Sequence, residues 1–153
     1  MLLVIKLSKN VQLRVSIKLI AAMLLFSINV AAVQLDDALL DAIEIVESNA
    51  NSFAIGDNGK SVGSFQITKA YVDDVNRVYK KNYSYSDRYD RDKSRDMTRL
   101  YLTYYGNFYE LKTDKTATYE VLCRIHNGGP RGMYKNSTYS YWKKIERVLR
   151  CRQ

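Results

Sequence analysis

Residues 51–67 constrain the fold most, because glycines interrupt two short apolar segments there. The run DNG at 57–59 is a turn signal that commonly connects antiparallel strands. Its flanks, Phe53–Ile55 and Val62–Ile67, contain the apolar and β-branched residues of short strands. The segment therefore predicts a small β-hairpin, which excludes a purely helical fold.

The rest of the chain from Asp36 onward shows apolar residues at helical spacing. The first helix is expected to begin at Asp36 or Asp37, with a buried stripe formed by Leu39, Ile43, Val46 and Ala50. Later helices are predicted at Thr68–Tyr79, at Asp90–Tyr105 with Gly106 as a stop, from Thr113 or Asp114 to the turn at 128–130, and from Ser137 or Thr138 onward. The stretch Lys80–Asp96 is predicted to be a mobile surface loop, with room for a short turn of helix. The expected class is α+β, mainly helical, with a small antiparallel hairpin forming one wall of a groove.

The first 32 residues resemble a secretory signal peptide. They contain four basic residues and no acid, an apolar run at Leu19–Ile28, and small residues at Ala31 and Ala32, after which we place cleavage. An N-terminal membrane anchor is the alternative, although the uncharged stretch Leu19–Leu35 barely reaches the length of about 17 to 25 residues that a span needs. The expected domains are thus a leader at 1–32 and a catalytic domain at 33–153, secreted or periplasmic, with transient membrane contact through the leader.

Charge disfavours nucleic acid as a partner. Removing the leader removes four of the 24 basic residues and none of the 16 acidic ones, which lowers the net charge from +8 to +4. The remaining basic residues alternate with acids, as in SDRYDRDKSRD, and form no nucleic-acid-binding motif. A modest positive charge instead favours approach to anionic surfaces such as cell walls.

The cysteine count predicts one disulfide and no metal site. Cys123 and Cys151 both follow the leader, and an even cysteine count in an exported protein favours pairing. With His126 as the single histidine, the spacing matches no common metal cluster. We expect neither a metal nor any other cofactor.

Glu47 and Asp57 are the candidate catalytic pair. Glu47 borders the apolar stripe of the first helix, where desolvation would favour its protonated form, and Asp57 lies in the hairpin turn. Cleavage of a glycosidic bond needs two acids in unlike surroundings, one protonated and one ionised. Two alternatives stay open at this point: Glu47 as an ordinary exposed acid, and Asp57 as a turn residue that bonds backbone amides.

Several segments together resemble the invertebrate-type, or destabilase-like, lysozymes. In chain order they are VES, GDNGKSVGSFQI followed by AY, YLTYYG, RIHNGGPRG and TYSYWKKI. The resemblance implies a lysozyme-like fold and hydrolysis of the bond between N-acetylmuramic acid and N-acetylglucosamine in peptidoglycan glycan strands. Glu47 matches the catalytic glutamate of the family and Asp57 its catalytic aspartate.

The chain departs from the family pattern in three ways. It has two cysteines where animal members are rich in disulfides, so it resembles a cysteine-poor bacterial relative. The interval from Glu47 to Asp57 is shorter, which makes the aspartate assignment the weaker one. Thr68 stands where the serine and lysine pair credited with isopeptidase activity would need its lysine, although Ser61 remains.

Six residues are candidate substrate contacts: Ser61, Ser64, Gln66, Tyr71, His126 and Asn127. The hairpin side chains could bond sugar hydroxyls or acetamides, and Tyr71 could stack on a sugar ring. Each also has an ordinary structural reading, which for His126 is a favourable cation at a helix C-terminus. We expect the protein to be a monomer.

Two other functions fit the same residues. A lytic transglycosylase would use Glu47 as both acid and base, would leave Asp57 a structural role, and would release 1,6-anhydro products. A non-catalytic cell-wall-binding protein would keep the fold for recognition, but loss of an acid would favour it and both acids are present.

Overall fold

The computed structural model describes residues 35–152. The predicted leader, residues 1–32, lies outside them. No helix between residues 35 and 152 is both long enough and apolar enough to cross a membrane.

Helix α1, Asp37–Ser48, begins as predicted. The side chain of Asp36 accepts a hydrogen bond from the Leu39 amide at 3.0 Å and so caps the first turn. The helix ends at Asn49, whose φ is 53°, and Ala50 follows with φ 61°. Ala50 is therefore exposed beyond the helix and does not belong to the buried stripe, in contrast to the prediction.

The predicted hairpin is present but short. Strands β1, Ile55–Gly56, and β2, Ser61–Val62, pair antiparallel, with Ile55 opposite Val62. A 3₁₀ turn at Asp57–Gly59 connects them. A further bridge joins Val62 to Ile67, so the chain folds back on itself after β2.

Gly63 permits the close contact that seats the hairpin on the next segment. Its φ is 82°, and a Cβ atom there would lie 1.8 Å from the backbone oxygen of Arg88. The Arg88 side chain is buried, and it donates to the Tyr85, Lys60 and Ile67 carbonyls at 2.8, 3.2 and 3.2 Å. The guanidinium thereby fastens the chain just before and just after β2 to residues 85–89.

Helix α2, Lys69–Tyr79, is confirmed, with Thr68 as its N-cap and Lys80 in the left-handed conformation at its end. The stretch 80–96 contains the short helical turn that was allowed for in the predicted loop, and the helix predicted from Asp90 has Asp90 as its N-cap. A 3₁₀ turn occupies Tyr85–Tyr89, and helix α3 begins at Arg91. Charged residues of the stretch 80–96 serve as acidic caps and basic partners of these elements, as Asp90 does at the start of α3 and Lys93 does with Asp87.

Helix α3 runs from Arg91 to Thr113 and passes through Gly106, which was predicted to stop it. A glycine within a helix costs only about 1 kcal/mol, and Gly106 is buried, so packing outweighs its low helix propensity. Asp114, with φ 55°, ends α3 instead of starting the next helix. Helix α4, Tyr119–Gly128, is capped by Thr118.

Helix α4 ends at the predicted glycine turn. Two 3₁₀ turns, Gly132–Tyr134 and Asn136–Thr138, lead to helix α5, Tyr139–Arg150, close to its predicted start. Gly132 packs directly on α4, since a Cβ there would lie 1.8 Å from the Arg124 carbonyl oxygen.

A single core lies between the helices. Helix α1 packs against α3 and α5, α4 packs against the same two helices, and α2 packs on α3. Trp142 is partly buried against this core. The largest fully buried apolar side chains are Phe65, Leu39, Leu40, Ile43, Ile67, Met97, Leu102, Leu122, Ile125 and Ile145.

The predicted disulfide is absent from the structure. Cys123 and Cys151 are both free thiols. Cys123 is fully buried on α4, whereas Cys151 is exposed just beyond the last turn of α5. Burial raises the pKa of the Cys123 thiol well above its usual range, so the thiol stays protonated and acts as a small core residue.

Candidate active site

Glu47 lies in the last turn of α1 and faces a cavity of about 430 Å³. Its side chain is 16% exposed, so the carboxyl group reaches the cavity while most of the side chain is covered. Helix α1, the hairpin, the start of α2, α3 and the end of α4 supply the cavity walls. The lining residues are Glu47, Asp57, Ser61, Gln66, Thr68, Ala70, Tyr71, Asp74, Tyr101, His126, Asn127, Gly129 and Pro130.

A buried ion pair one turn before Glu47 fixes α1 against α3. Glu44 is 2% exposed, and its two oxygens accept from Nε and Nη2 of Arg91 at 2.6 and 2.8 Å. Arg95 approaches the same carboxylate at 3.8 Å. Sequence reasoning missed this anchor, although Glu44 follows Leu40 by four residues on the buried side and the two arginines are four residues apart.

Ser48 joins the end of α1 to the hairpin. Its hydroxyl donates to the Ser64 carbonyl at 2.8 Å and accepts from the Asn51 amide at 3.0 Å. These bonds hold the chain directly after Glu47 against the segment that follows β2. The position of Glu47 relative to the hairpin thus depends on hydrogen bonds to the backbone.

Asp57 lies on the hairpin side of the same cavity. It is exposed, its φ is 48°, and its Oδ2 accepts a hydrogen bond from the Ser61 hydroxyl at 2.7 Å. Asp57 therefore differs from Glu47 in being solvated and hydrogen-bonded.

His126 is almost fully buried at the end of α4, with its side chain 3% exposed. Nδ1 lies 3.3 Å from the Tyr71 hydroxyl, and Nε2 lies 3.2 Å from the Phe65 carbonyl oxygen and 3.4 Å from Oε1 of Glu47. Both ring nitrogens thus have partners within the protein. His126 lines the cavity, but its contacts hold the imidazole in place beside Glu47.

Tyr71 lines the cavity with one ring face already covered. Its ring stacks on that of Tyr101, with 3.7 Å between the ring centroids. Burial raises the pKa of the Tyr71 hydroxyl well above its usual range. Tyr71 is therefore a neutral wall residue, with little free ring surface for stacking on a sugar.

Three of the remaining predicted contacts lie at the cavity, and one does not. Ser61, Gln66 and Asn127 line it. The amide of Gln66 also braces the hairpin, since Nε2 donates to the Ala54 and Gly63 carbonyls at 3.2 and 2.9 Å. Ser64 is fully buried, 3.3 Å from the Ser94 hydroxyl, and does not line the cavity, which corrects its assignment as a substrate contact.

Tyr101 and Asp74 line the cavity but were not predicted as site residues. Asp74 Oδ1 accepts from Arg77 at 2.7 Å, and Oδ2 accepts from the Tyr105 hydroxyl at 2.6 Å. Tyr101 and Asp74 are on helical stripes that also supply the core. Periodicity alone therefore predicts a packing role for both. The one available signal was that Asp74 follows Tyr71 by one helical turn.

The cavity has the composition of a site for a sugar chain. Aromatic walls, hydroxyls and amides surround two carboxyl groups, of which Glu47 is mostly covered and Asp57 is solvated. Such a pair can divide the roles of acid and nucleophile or stabiliser. Within residues 35–152, no three His, Cys, Asp or Glu side chains are grouped so that they could hold a metal ion.

Comparison with known proteins identifies relatives over most of the chain, although no family model matches it. A lysozyme of Ostrea edulis is 30% identical over 131 residues, which cover 84% of this chain and 91% of that protein. Invertebrate-type lysozyme 2 of Caenorhabditis elegans is 30% identical over 95 residues, or 60% of this chain and 68% of that protein.

The fold agrees with a solved structure of the same group. A chain of the crystal structure of Aeromonas hydrophila PliI in complex with Meretrix lusoria lysozyme superposes with a TM-score of 0.63 at 27% identity. The match covers 74% of this chain and 90% of that one. The helical architecture with its small hairpin is therefore lysozyme-like, as the sequence predicted. The chain belongs to the invertebrate-type lysozyme family and is a glycoside hydrolase.

Proposed function

We propose that the protein is a muramidase, which hydrolyses the bond between N-acetylmuramic acid and N-acetylglucosamine in peptidoglycan. The observation that carries this proposal is that Glu47 and Asp57 line one cavity in unlike surroundings. The lysozyme names of its relatives support the same class of substrate. The leader-like first 32 residues support a secreted or periplasmic location, where the protein would meet peptidoglycan.

Glu47 is the general acid of this mechanism. Its mostly covered carboxyl group holds a proton and gives it to the leaving glycosidic oxygen. After transfer, the carboxylate can accept the Nε2 hydrogen of His126.

Asp57 supplies the negative charge on the other side of the reacting sugar. Ionised and oriented by the Ser61 hydroxyl, it attacks the anomeric carbon or stabilises the positive charge that develops there. Water then completes hydrolysis, with Glu47 acting as base. Ser61, Gln66 and Asn127 are positioned to bond sugar hydroxyls or acetamides from the cavity wall.

The test is digestion of purified peptidoglycan by the wild-type protein and by Glu47→Gln and Asp57→Asn, followed by mass spectrometry of the product ends. We expect reducing ends from the wild type and a loss of roughly 10²- to 10⁴-fold in each variant, the usual contribution of such groups. Glu120→Gln and Asp92→Asn are matched controls, since Glu120 pairs with Arg124 and Asp92 is exposed in the first turn of α3.

Other outcomes assign other functions. Anhydro ends that persist in Asp57→Asn would identify a lytic transglycosylase that uses Glu47 alone. Binding to peptidoglycan without any product from the wild type would identify a wall-binding protein. Full activity of Glu47→Gln would contradict the assignment of the acid.

A further inference from the structure

Tyr141, on α5, carries a hydroxyl that the fold leaves without a partner. In the part of the chain that the structure describes, this oxygen and Oδ1 of Asn107 are the buried side-chain polar atoms that make no hydrogen bond. Burying a hydroxyl without a partner is costly, and native proteins retain such groups rarely. The position of this hydroxyl therefore calls for a functional explanation.

Tyr141 and Glu47 both adjoin His126, whose Nε2 lies 3.4 Å from Oε1 of Glu47. Burial, and next the charge of Glu47, raise the pKa of the Tyr141 hydroxyl well above its usual range, so it keeps its hydrogen. The ring of Tyr141 stacks on His126, with 6.4 Å between the ring centroids. The hydroxyl and the carboxyl group are thus neighbours that have not formed a hydrogen bond of normal geometry.

The contacts of His126 show what the carboxyl group already has. A carbonyl oxygen only accepts, so the bond to Phe65 requires the hydrogen of the neutral imidazole to be on Nε2. Nδ1 then accepts from the Tyr71 hydroxyl. The single hydrogen on Nε2 is shared between the Phe65 carbonyl and Oε1 of Glu47. The carboxyl group therefore receives only a shared hydrogen bond from His126.

We propose that Tyr141 is a positioning residue whose buried hydroxyl donates a hydrogen bond to the Glu47 carboxylate once that carboxylate has given up its proton. The inference rests on the proposed role of Glu47 as general acid. A protonated carboxyl group donates its own hydrogen, whereas the carboxylate formed by proton transfer only accepts and gains from each further donor. Tyr141 supplies this donor from α5, in addition to the shared hydrogen from α4.

The proposal predicts that Tyr141 favours the ionised form of Glu47. The titratable groups that face Glu47 are His126 and Cys123 from α4, Tyr71 from α2 and Tyr141 from α5, with Asp57 across the cavity. Since His126 already shares its hydrogen and the Tyr71 hydroxyl is paired with His126, removing the Tyr141 oxygen removes the hydroxyl donor of this set that has no other partner. The proton affinity of Glu47 should then rise about tenfold, or one pH unit.

The test is a pH titration of the Glu47 carboxyl carbon by ¹³C NMR in the wild-type protein and in Tyr141→Phe. We expect the midpoint to rise by about one pH unit in Tyr141→Phe, and the basic limb of reducing-end release to shift by the same amount. Tyr139→Phe is the matched control, because Tyr139 is an exposed tyrosine on the same helix, and it should leave the midpoint unchanged. An unchanged midpoint in Tyr141→Phe would overturn the proposal.

Two further measurements keep the outcome interpretable. If Tyr141→Phe does not fold, the hydroxyl proton of Tyr141 in the wild type should shift downfield as Glu47 ionises, and a constant shift would overturn the proposal. The carboxyl titration does not depend on turnover. Failure of the muramidase proposal would instead appear as retained activity in Glu47→Gln.

Discussion

Replacing Arg91 by methionine tests how strongly the buried Glu44 carboxylate holds α1 against α3. The change removes both hydrogen bonds to a side chain that is only 2% exposed and leaves Arg95 at 3.8 Å as the remaining cation. Methionine retains the apolar part of the arginine stem, so the loss is mainly electrostatic.

The expected loss of stability depends on the burial of both partners, Glu44 and Arg91. Breaking a buried ion pair by removing one partner costs about 3 to 5 kcal/mol. Arg91 is itself 55% exposed, so solvent screens part of the interaction, and Arg95 supplies some compensation. We therefore expect Arg91→Met to lower the free energy of unfolding by about 2 to 3 kcal/mol, which for a domain of this size lowers Tm by about 8 to 12 °C.

The assay is urea unfolding followed by far-ultraviolet circular dichroism, with Arg150→Met as the matched control. Arg150 is 74% exposed and pairs with Glu146 on the same helix, an arrangement that contributes about 0.3 to 0.5 kcal/mol. Raising the salt concentration should reduce the small effect of Arg150→Met and leave most of the Arg91→Met effect. Equal losses in the two variants would refute the idea that Glu44 is held as a buried ion.

Three further predictions concern other parts of the chain. Gly63→Ala should destabilise the protein by more than about 2 kcal/mol in urea unfolding, because φ is 82° and a Cβ would lie 1.8 Å from a backbone oxygen. A thiol reagent should label exposed Cys151 rapidly and buried Cys123 only on unfolding; protection of both in the native protein would indicate that they pair. The hydrogen bond from Arg95 lowers the pKa of Asp37, so the stability lost in Asp37→Asn should be present above the ordinary value of 3.8 and disappear as the pH falls through the lower folded-state pKa.

Local chemistry made the helix starts and the hairpin predictable. Asp36 and Thr68 are capping residues placed directly before apolar stripes, and the structure uses both as caps. The DNG turn marked the hairpin for the same reason. Where the outcome depended on packing, prediction failed, as at Gly106, whose buried position keeps α3 helical.

Those site residues that belong to a recognisable sequence motif could be predicted. Glu47 and Asp57 were found by chemistry and family resemblance, and the structure places both on one cavity. Ser64 lies in the same motif but points into the core, a difference that only the backbone path decides. The roles of Tyr141 and Glu44 depend on contacts between distant helices, which periodicity assigns to packing without saying what each contact does.

Arg88 holds the part of the hairpin that begins at Lys60, directly after the Asp57–Gly59 turn. Its guanidinium donates to the carbonyls of Lys60 and Ile67, and Gly63 lies against its backbone. Strand β2 is therefore held on both sides by a residue outside the hairpin. Asp57 is linked to this anchored part, because its carbonyl accepts from the Lys60 amide at 3.2 Å and its carboxylate accepts from the Ser61 hydroxyl at 2.7 Å. A substitution of Arg88 would therefore loosen the Asp57 turn together with β2, although Arg88 does not line the cavity.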